Sequence, residues 1–143
     1  MATIARMDQE RLSCDIPIRV RYAECDPWGN VHHGRYFDYF EGGRVELLRR
    51  LGVSYRECEE RGVFFVVNKL ECRYRAPACF DDLLTLTTTL VRATRARLDH
   101  RYVLTRDGVI LTEATISLAC VDRDGRVQAI PEWFPTASVR PGR

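Results

Sequence analysis

Read for its hydrophobic and polar positions, the chain changes period twice. Ile16, Ile18, Val20 and Tyr22 alternate with Arg19 and Arg21, a period of two that predicts a half-buried first strand ending near Glu24. The segment Cys25-Asp26-Pro27-Trp28-Gly29-Asn30 collects turn formers, and Asn30 is placed to N-cap the next element. From His32 to Leu51 the period becomes helical. Tyr36/Phe37, Phe40, Gly43, Leu47/Leu48 and Leu51 fall on one stripe, and Gly52 stops the helix at its C′ position. Gly42 and Gly43 sit mid-helix, where each costs about 1 kcal/mol relative to alanine, so close backbone packing is the expected compensation. Ser54 and Glu57 form a capping-box pattern for a short second helix closed by Gly62.

Beyond Gly62 the period of two returns. Leu70, Cys72, Tyr74 and Ala76 alternate with charged residues up to Pro77, and Leu84, Leu86 and Leu90 alternate with Thr85, Thr87 and Thr89. Leu98, His100, Tyr102 and Leu104 lead into the hairpin signal Arg106-Asp107-Gly108, after which Ile110, Ala114, Ile116, Leu118 and Cys120 share one face. Asp124-Gly125 marks a turn before Val127 and Ile130, and the tail from Trp133 to Arg143 reads as loose. One strand, a long helix, a short helix and four or five neighbouring strands predict an α+β domain: an antiparallel sheet packed on one dominant helix.

Composition changes this picture little. The 143 residues, 45% hydrophobic and 29% charged, fit a single globular domain. The longest strongly apolar run, Val63 to Val67, is far short of the roughly 18–20 residues that span a bilayer, so no membrane span is expected. Met1 to Glu10 lack an apolar stretch behind a basic start, which reads as a cytoplasmic protein. Six cysteines without any C-x-x-C spacing read as small buried hydrophobes in a reducing compartment, without support for zinc ribbons or thiol redox chemistry.

Net charge is +2, and the two signs are mixed along the chain, so global electrostatics names no partner. No basic stripe with interleaved aromatics supports nucleic-acid binding. The one local excess is Arg92, Arg95, Arg97, Arg101 and Arg106 against Asp99, a solvated face or a set of forks suited to phosphate.

The chemistry-bearing stretch is Asp26 to Tyr36, which puts a carboxylate on a loop just ahead of a helix N-terminus. Unpaired backbone N–H groups and the helix dipole favour developing negative charge there. Acyl transfer needs that combination, a base or nucleophile beside donors for an oxyanion. Asp-Pro-x-Gly is also a common turn sequence, and spacing alone does not lift the chemical reading above the structural one. A metal site from Cys25, Asp26, His32 and His33 lacks an i, i+4 ligand pair. His100 falls on an apolar strand face as a core histidine. The aromatic stripe Tyr36, Phe37 and Phe40 reads as core, whereas Trp28, in the turn beside Asp26, leans towards a pocket.

Asp26, Gly29, Val31, His33 and Tyr36, followed by Tyr74-Arg75-Ala76-Pro77-Ala78 and Asp81-Asp82, resemble the 4-hydroxybenzoyl-CoA thioesterase-like group of hotdog-fold acyl-CoA thioesterases. The resemblance runs from about Ile16 to Ile130. It implies a sheet wrapped around one long helix, a homodimer or dimer of dimers with active sites at the subunit interface, and hydrolysis of acyl-CoA or acyl-carrier-protein thioesters without a cofactor. By the same resemblance Asp26 is the catalytic aspartate, nucleophile or general base, and His33 occupies the helix start whose N–H polarises the carbonyl. The positive helix end suits a neutral His33 side chain that donates or orients water. His32, its helical neighbour, would point elsewhere. Trp28, Gly34, Tyr36, Arg95 and Arg97 are the candidate substrate contacts. The alternative is a catalytically silent hotdog module that binds such ligands; a hydratase or dehydratase on the same fold lacks its residue pattern.

Overall fold

The computed structural model describes residues 12–136; the readings of Met1–Glu10 and of the tail beyond residue 136 lie outside the described residues. Strand β1 (Ser13–Arg19) is followed by a single 3₁₀ turn (Tyr22–Glu24), helix α1 (Arg35–Arg50), helix α2 (Tyr55–Glu60) and strands β2 (Phe64–Tyr74), β3 (Leu83–Ala93), β4 (Arg97–Arg106) and β5 (Val109–Val121). The strands form one antiparallel sheet in the order β1-β3-β4-β5-β2. Phe40 and Leu47 of α1 bury against Leu84 and Leu86 of β3, Leu98, Tyr102 and Leu104 of β4, and Leu118 of β5. This is the α+β arrangement that the periodicities predict, and the hotdog fold that the resemblance implies. Among the described residues no helix is long and apolar enough to cross a membrane.

The two helix glycines part company. A Cβ on Gly43 would meet Thr88 Oγ1 and lie 2.8 Å from Leu86 Cδ2, so α1 rides directly on β3 there. A Cβ on Gly42 would meet nothing within 4 Å, so close packing inside the chain does not account for that residue. Half of the predicted capping box is present: Glu57 N–H donates to Ser54 Oγ at 3.2 Å, but no return bond from the Glu57 carboxylate to the Ser54 N–H is found among the described residues; Gly62 closes the turn at φ +75°.

Several expectations need correction. The first strand ends at Arg19, because Arg21 to Glu24 turn into the 3₁₀ segment. Helix α1 begins at Arg35, three residues late, and Asn30 does not cap it. Asn30 bridges Cys79 and the Val31 N–H donates to the Ala78 carbonyl at 2.8 Å, so a non-local pairing claims the segment before it can wind. Gly34 stands at the N-cap, its N–H donating to His32 Nδ1 at 3.2 Å. Ile110 is exposed, because the β4–β5 register slips between Leu104 and Thr105 and Leu111 is buried in its place. Among the described residues beyond Asp124-Gly125 there is a bridge from Val121 to Val127 and no fifth late strand. The start of the tail is packed: Phe134 and Thr136 are buried, the Phe134 ring lies 5.2 Å from Phe65, and Arg61 covers Trp133. All six cysteines are free, but only Cys14, Cys58 and Cys120 are buried; burial pushes the Cys58 thiol up to about 11.

Candidate active site

The loop between the 3₁₀ turn and α1 closes on itself. Asp26 N–H donates to the Asn30 carbonyl at 2.7 Å, and Gly29 N–H to the Asp26 carbonyl at 3.0 Å. Gly29 sits at φ +81°, a conformation a side chain would strain. Inside this ring Asp26 Oδ1 accepts the N–H groups of Trp28 (2.9 Å) and Asn30 (3.1 Å). One carboxylate oxygen is thus pinned by the backbone. Among the described residues nothing donates to the other, on a half-buried side chain.

The Cys25–Val31 bridge and the His32 N–H, which donates to the Glu24 carbonyl at 2.9 Å, fold the helix entrance back beside Asp26. His33 comes next. Its carbonyl accepts the Tyr74 hydroxyl at 2.8 Å, and no acceptor for its N–H is found among the described residues. His33 precedes the N-cap Gly34, so its N–H lies just outside the positive end of the 16-residue helix, where the dipole favours negative charge. The His33 ring is exposed and lies 4.2 Å from that of His32, so the two imidazoles meet instead of diverging; neither residue is yet helical.

A second segment moulds the first. Phe80 N–H donates to the Gly29 carbonyl at 3.0 Å, and Ala78 N–H to the Tyr36 hydroxyl at 3.3 Å. Tyr36 is buried, edge-on to Tyr74 and Tyr39, so it supports the loop from within. Asp82 accepts Cys79 N–H at 2.8 Å and Arg106 at 2.6 Å. Burial opposes its charge, but these donors hold its carboxyl below the usual range. The Tyr74 hydroxyl is pushed up to about 12, chiefly by burial, and so stays a donor to His33 at any working pH.

Asp26, Trp28, His33, Gly34 and Tyr36 therefore share the loop and helix entrance, with Trp28 84% exposed at the rim. Arg95 and Arg97 are not. They lie at the β3–β4 turn, whereas the Asp26 loop abuts the opposite end of β3, where Asp81 N–H donates to the Val20 carbonyl. Arg97 is engaged with Asp99 (2.8 Å) and Ser117 (3.2 Å). Of the five arginines, Arg106 is the one on the Asp26 side. Among the described residues no three His, Cys, Asp or Glu side chains come together in a way that would hold a metal ion.

Two features escape sequence reasoning. Tyr74 fastens the His33 peptide, and its only signal is the Tyr-Arg-Ala-Pro motif. Glu24, in sequence merely the end of a strand, is buried and joined to Tyr39 of α1 at 2.8 Å. Tyr39 falls one turn after Tyr36, which is the sole hint that it shares that face.

The profile of the thioesterase-like superfamily matches residues 20–137. The acyl-CoA thioesterase YbgC of Haemophilus influenzae is 37% identical over 107 residues, 74% of this chain and 79% of the relative. Among solved structures, the hypothetical protein TT1821 of Thermus thermophilus has a TM-score of 0.82 at 40% identity, covering 86% of this chain and 95% of that one. A probable thioesterase of Bartonella henselae has a TM-score of 0.80 at 32% identity, covering 83% and 99%. With residues 20–137 matched by that profile and its fold shared with these structures, this chain belongs to the thioesterase-like superfamily.

Proposed function

We propose that Asp26 is the group through which this thioesterase cleaves acyl-CoA thioesters to a free carboxylic acid and CoA. The observation that carries the reading is the carboxylate held on the backbone by one oxygen, in a loop tied at Glu24 to the His32 N–H, one residue before His33, whose own N–H is unpaired among the described residues. The substrate class rests on relatives named acyl-CoA thioesterases. The free oxygen either attacks the thioester carbonyl, expelling CoA thiolate and leaving a mixed anhydride for water to open, or takes a proton from an attacking water. In both routes charge grows on the carbonyl oxygen, and the His33 N–H with the helix dipole receives it.

The working unit is a homodimer. β2 ends the sheet as an 11-residue strand without proline, with Val66 and Val67 about half exposed, a free edge that invites pairing with a second copy. A second chain would also supply the wall that Trp28 lacks.

Asp26→Asn keeps the shape of the loop and removes the charge. It should lower kcat by roughly 10²–10⁴-fold, measured by thiol release from short, long-chain and aryl acyl-CoAs. Wild-type hydrolysis of every thioester by this variant would sink the reading and favour a module that only binds its ligand. Single turnover in ¹⁸O-labelled water separates the routes: direct water attack labels the acid at once, whereas an anhydride opened at the aspartate carbonyl first labels Asp26.

A further inference from the structure

Glu24 is 7% exposed, two residues ahead of Asp26, and every oxygen it has is occupied. Oε1 accepts the Arg21 N–H and the Tyr39 hydroxyl, each at 2.8 Å, and Oε2 accepts Arg21 Nε at 3.2 Å. Its main-chain carbonyl accepts the His32 N–H at 2.9 Å. We propose that Glu24 is a positioning residue for the reaction: it fastens the Asp26 loop to the body of α1 and to the peptide that presents His33, so that carboxylate and oxyanion donor keep one separation.

Tyr39 lies in the second turn of α1, with its ring 6.0 Å from Tyr36, which in turn holds Ala78. A carboxylate on Tyr39 therefore ties the loop to the same rigid wall that carries the mould around Gly29. The main-chain bond to His32 ties the loop to the helix entrance one residue before the oxyanion donor. One residue is the hub of both links, and it reaches no substrate because it is buried and saturated.

Burying a carboxylate is costly unless its acceptor sites are filled, so packing alone is a poor reason to place one here. Three donors converging on two oxygens are what only a carboxylate can accept at once; Gln would set an N–H₂ against one of them. Those donors outweigh burial and hold the Glu24 carboxyl below its usual range, while burial and Glu24 push the Tyr39 hydroxyl well above its own, so the bond stays carboxylate to phenol.

This inference rests on the proposed role of Asp26, and its test separates the two. Glu24→Gln and Tyr39→Phe are compared with wild type by thiol release well below their unfolding temperatures, with folded fraction checked by circular dichroism. The expected result is a kcat loss of roughly 10- to 100-fold for Glu24→Gln with KM within about threefold, the signature of misplaced reacting groups. Tyr39→Phe should lose kcat in the same direction but less, and the double variant should be no worse than Glu24→Gln alone. Unchanged kcat in Glu24→Gln, or a rise in KM with kcat kept, overturns the positioning role. If Glu24→Gln does not fold, Tyr39→Phe decides: wild-type kcat there is equally fatal. Should Asp26→Asn be inactive while Glu24→Gln works normally, only this inference falls; an active Asp26→Asn would remove the proposed function itself.

Discussion

His100 offers a prediction whose size is set by where it sits. It points inward from β4, 4% exposed, and its Nδ1 has no hydrogen-bond partner among the described residues. Burial is the main reason its pKa falls to about 3. The Arg44 guanidinium from α1 pushes the same way, and Asp99 on its own strand only partly opposes them. The folded protein therefore keeps this imidazole neutral, whereas the unfolded chain protonates it near pH 6.5. Between those values the unfolded state binds a proton that the folded state refuses, so stability falls as pH falls, by at most about 1.4 kcal/mol per unit. Integrated from pH 7 to pH 5, the loss is about 2 kcal/mol, a large share of a typical 5–15 kcal/mol. The lowered carboxyls of Glu24, Asp82, Asp99 and Glu113 act in a separate window. Their stabilisation is present above the unfolded carboxylate pKa, roughly 4, and is lost only on further acidification. Urea unfolding at pH 7 and pH 5 at fixed ionic strength, on wild type and His100→Leu, isolates the histidine. The difference between the two pH values should shrink by about 2 kcal/mol in the variant, whatever its absolute stability. An equal pH dependence in both proteins would refute the buried neutral imidazole.

Gly43→Ala should destabilise by about 1–3 kcal/mol in thermal or urea unfolding, because the new Cβ is driven into Leu86 and Thr88, and overpacking outweighs the gain in helix propensity. Gly42→Ala, with open space around it, should instead stabilise the isolated chain by up to about 1 kcal/mol; equal effects at both positions would contradict the helix–sheet contact. Arg95 makes no ion pair among the described residues, and Arg95→Ala should raise KM for a CoA ester more than it lowers kcat, with no change for a pantetheine ester. Equal losses on both esters would show that it does not contact the nucleotide.

The features legible in the sequence are local. The leucine and threonine alternation of β3, the inward row Leu98, His100, Tyr102 and Leu104, the Ser54 cap and the Asp107-Gly108 turn (φ +50° and +79°) each depend on a few neighbouring residues. The features that escape it depend on distant partners. Asn30 has the chemistry of a cap, but Cys79 claims its backbone. Phe134 reads as part of a loose tail, but Phe65 gives it a surface. Arg44 lies on the apolar side of α1 because the hydroxyls of Tyr55 (3.1 Å) and Tyr102 (3.0 Å) receive its guanidinium, and neither tyrosine is near it in sequence. The arginine cluster misleads for a related reason. Strand residues advance about 3.3 Å each, so Arg97 and Arg106, close together among the basic residues of the sequence, stand roughly 30 Å apart at opposite ends of β4.

The second motif, Tyr74 to Asp82, is accordingly positional and not chemical. Tyr74 holds the His33 carbonyl, Ala78 holds Val31 and Tyr36, Phe80 holds Gly29, and Asp82 holds the turn through Cys79 and Arg106. None of these contacts supplies an attacking group, yet together they fix the backbone on which Asp26 and the His33 N–H depend. Tyr74 is also the last residue of the edge strand β2. If a second copy pairs along that edge, it stiffens the strand whose end holds the His33 carbonyl, and under the proposed mechanism dimerisation would then act on kcat. The arginines obey the same logic: Arg95 and Arg97 stand at the far end of the sheet, so if they contact a CoA held at Asp26, it is the proposed homodimer that would bring the two together.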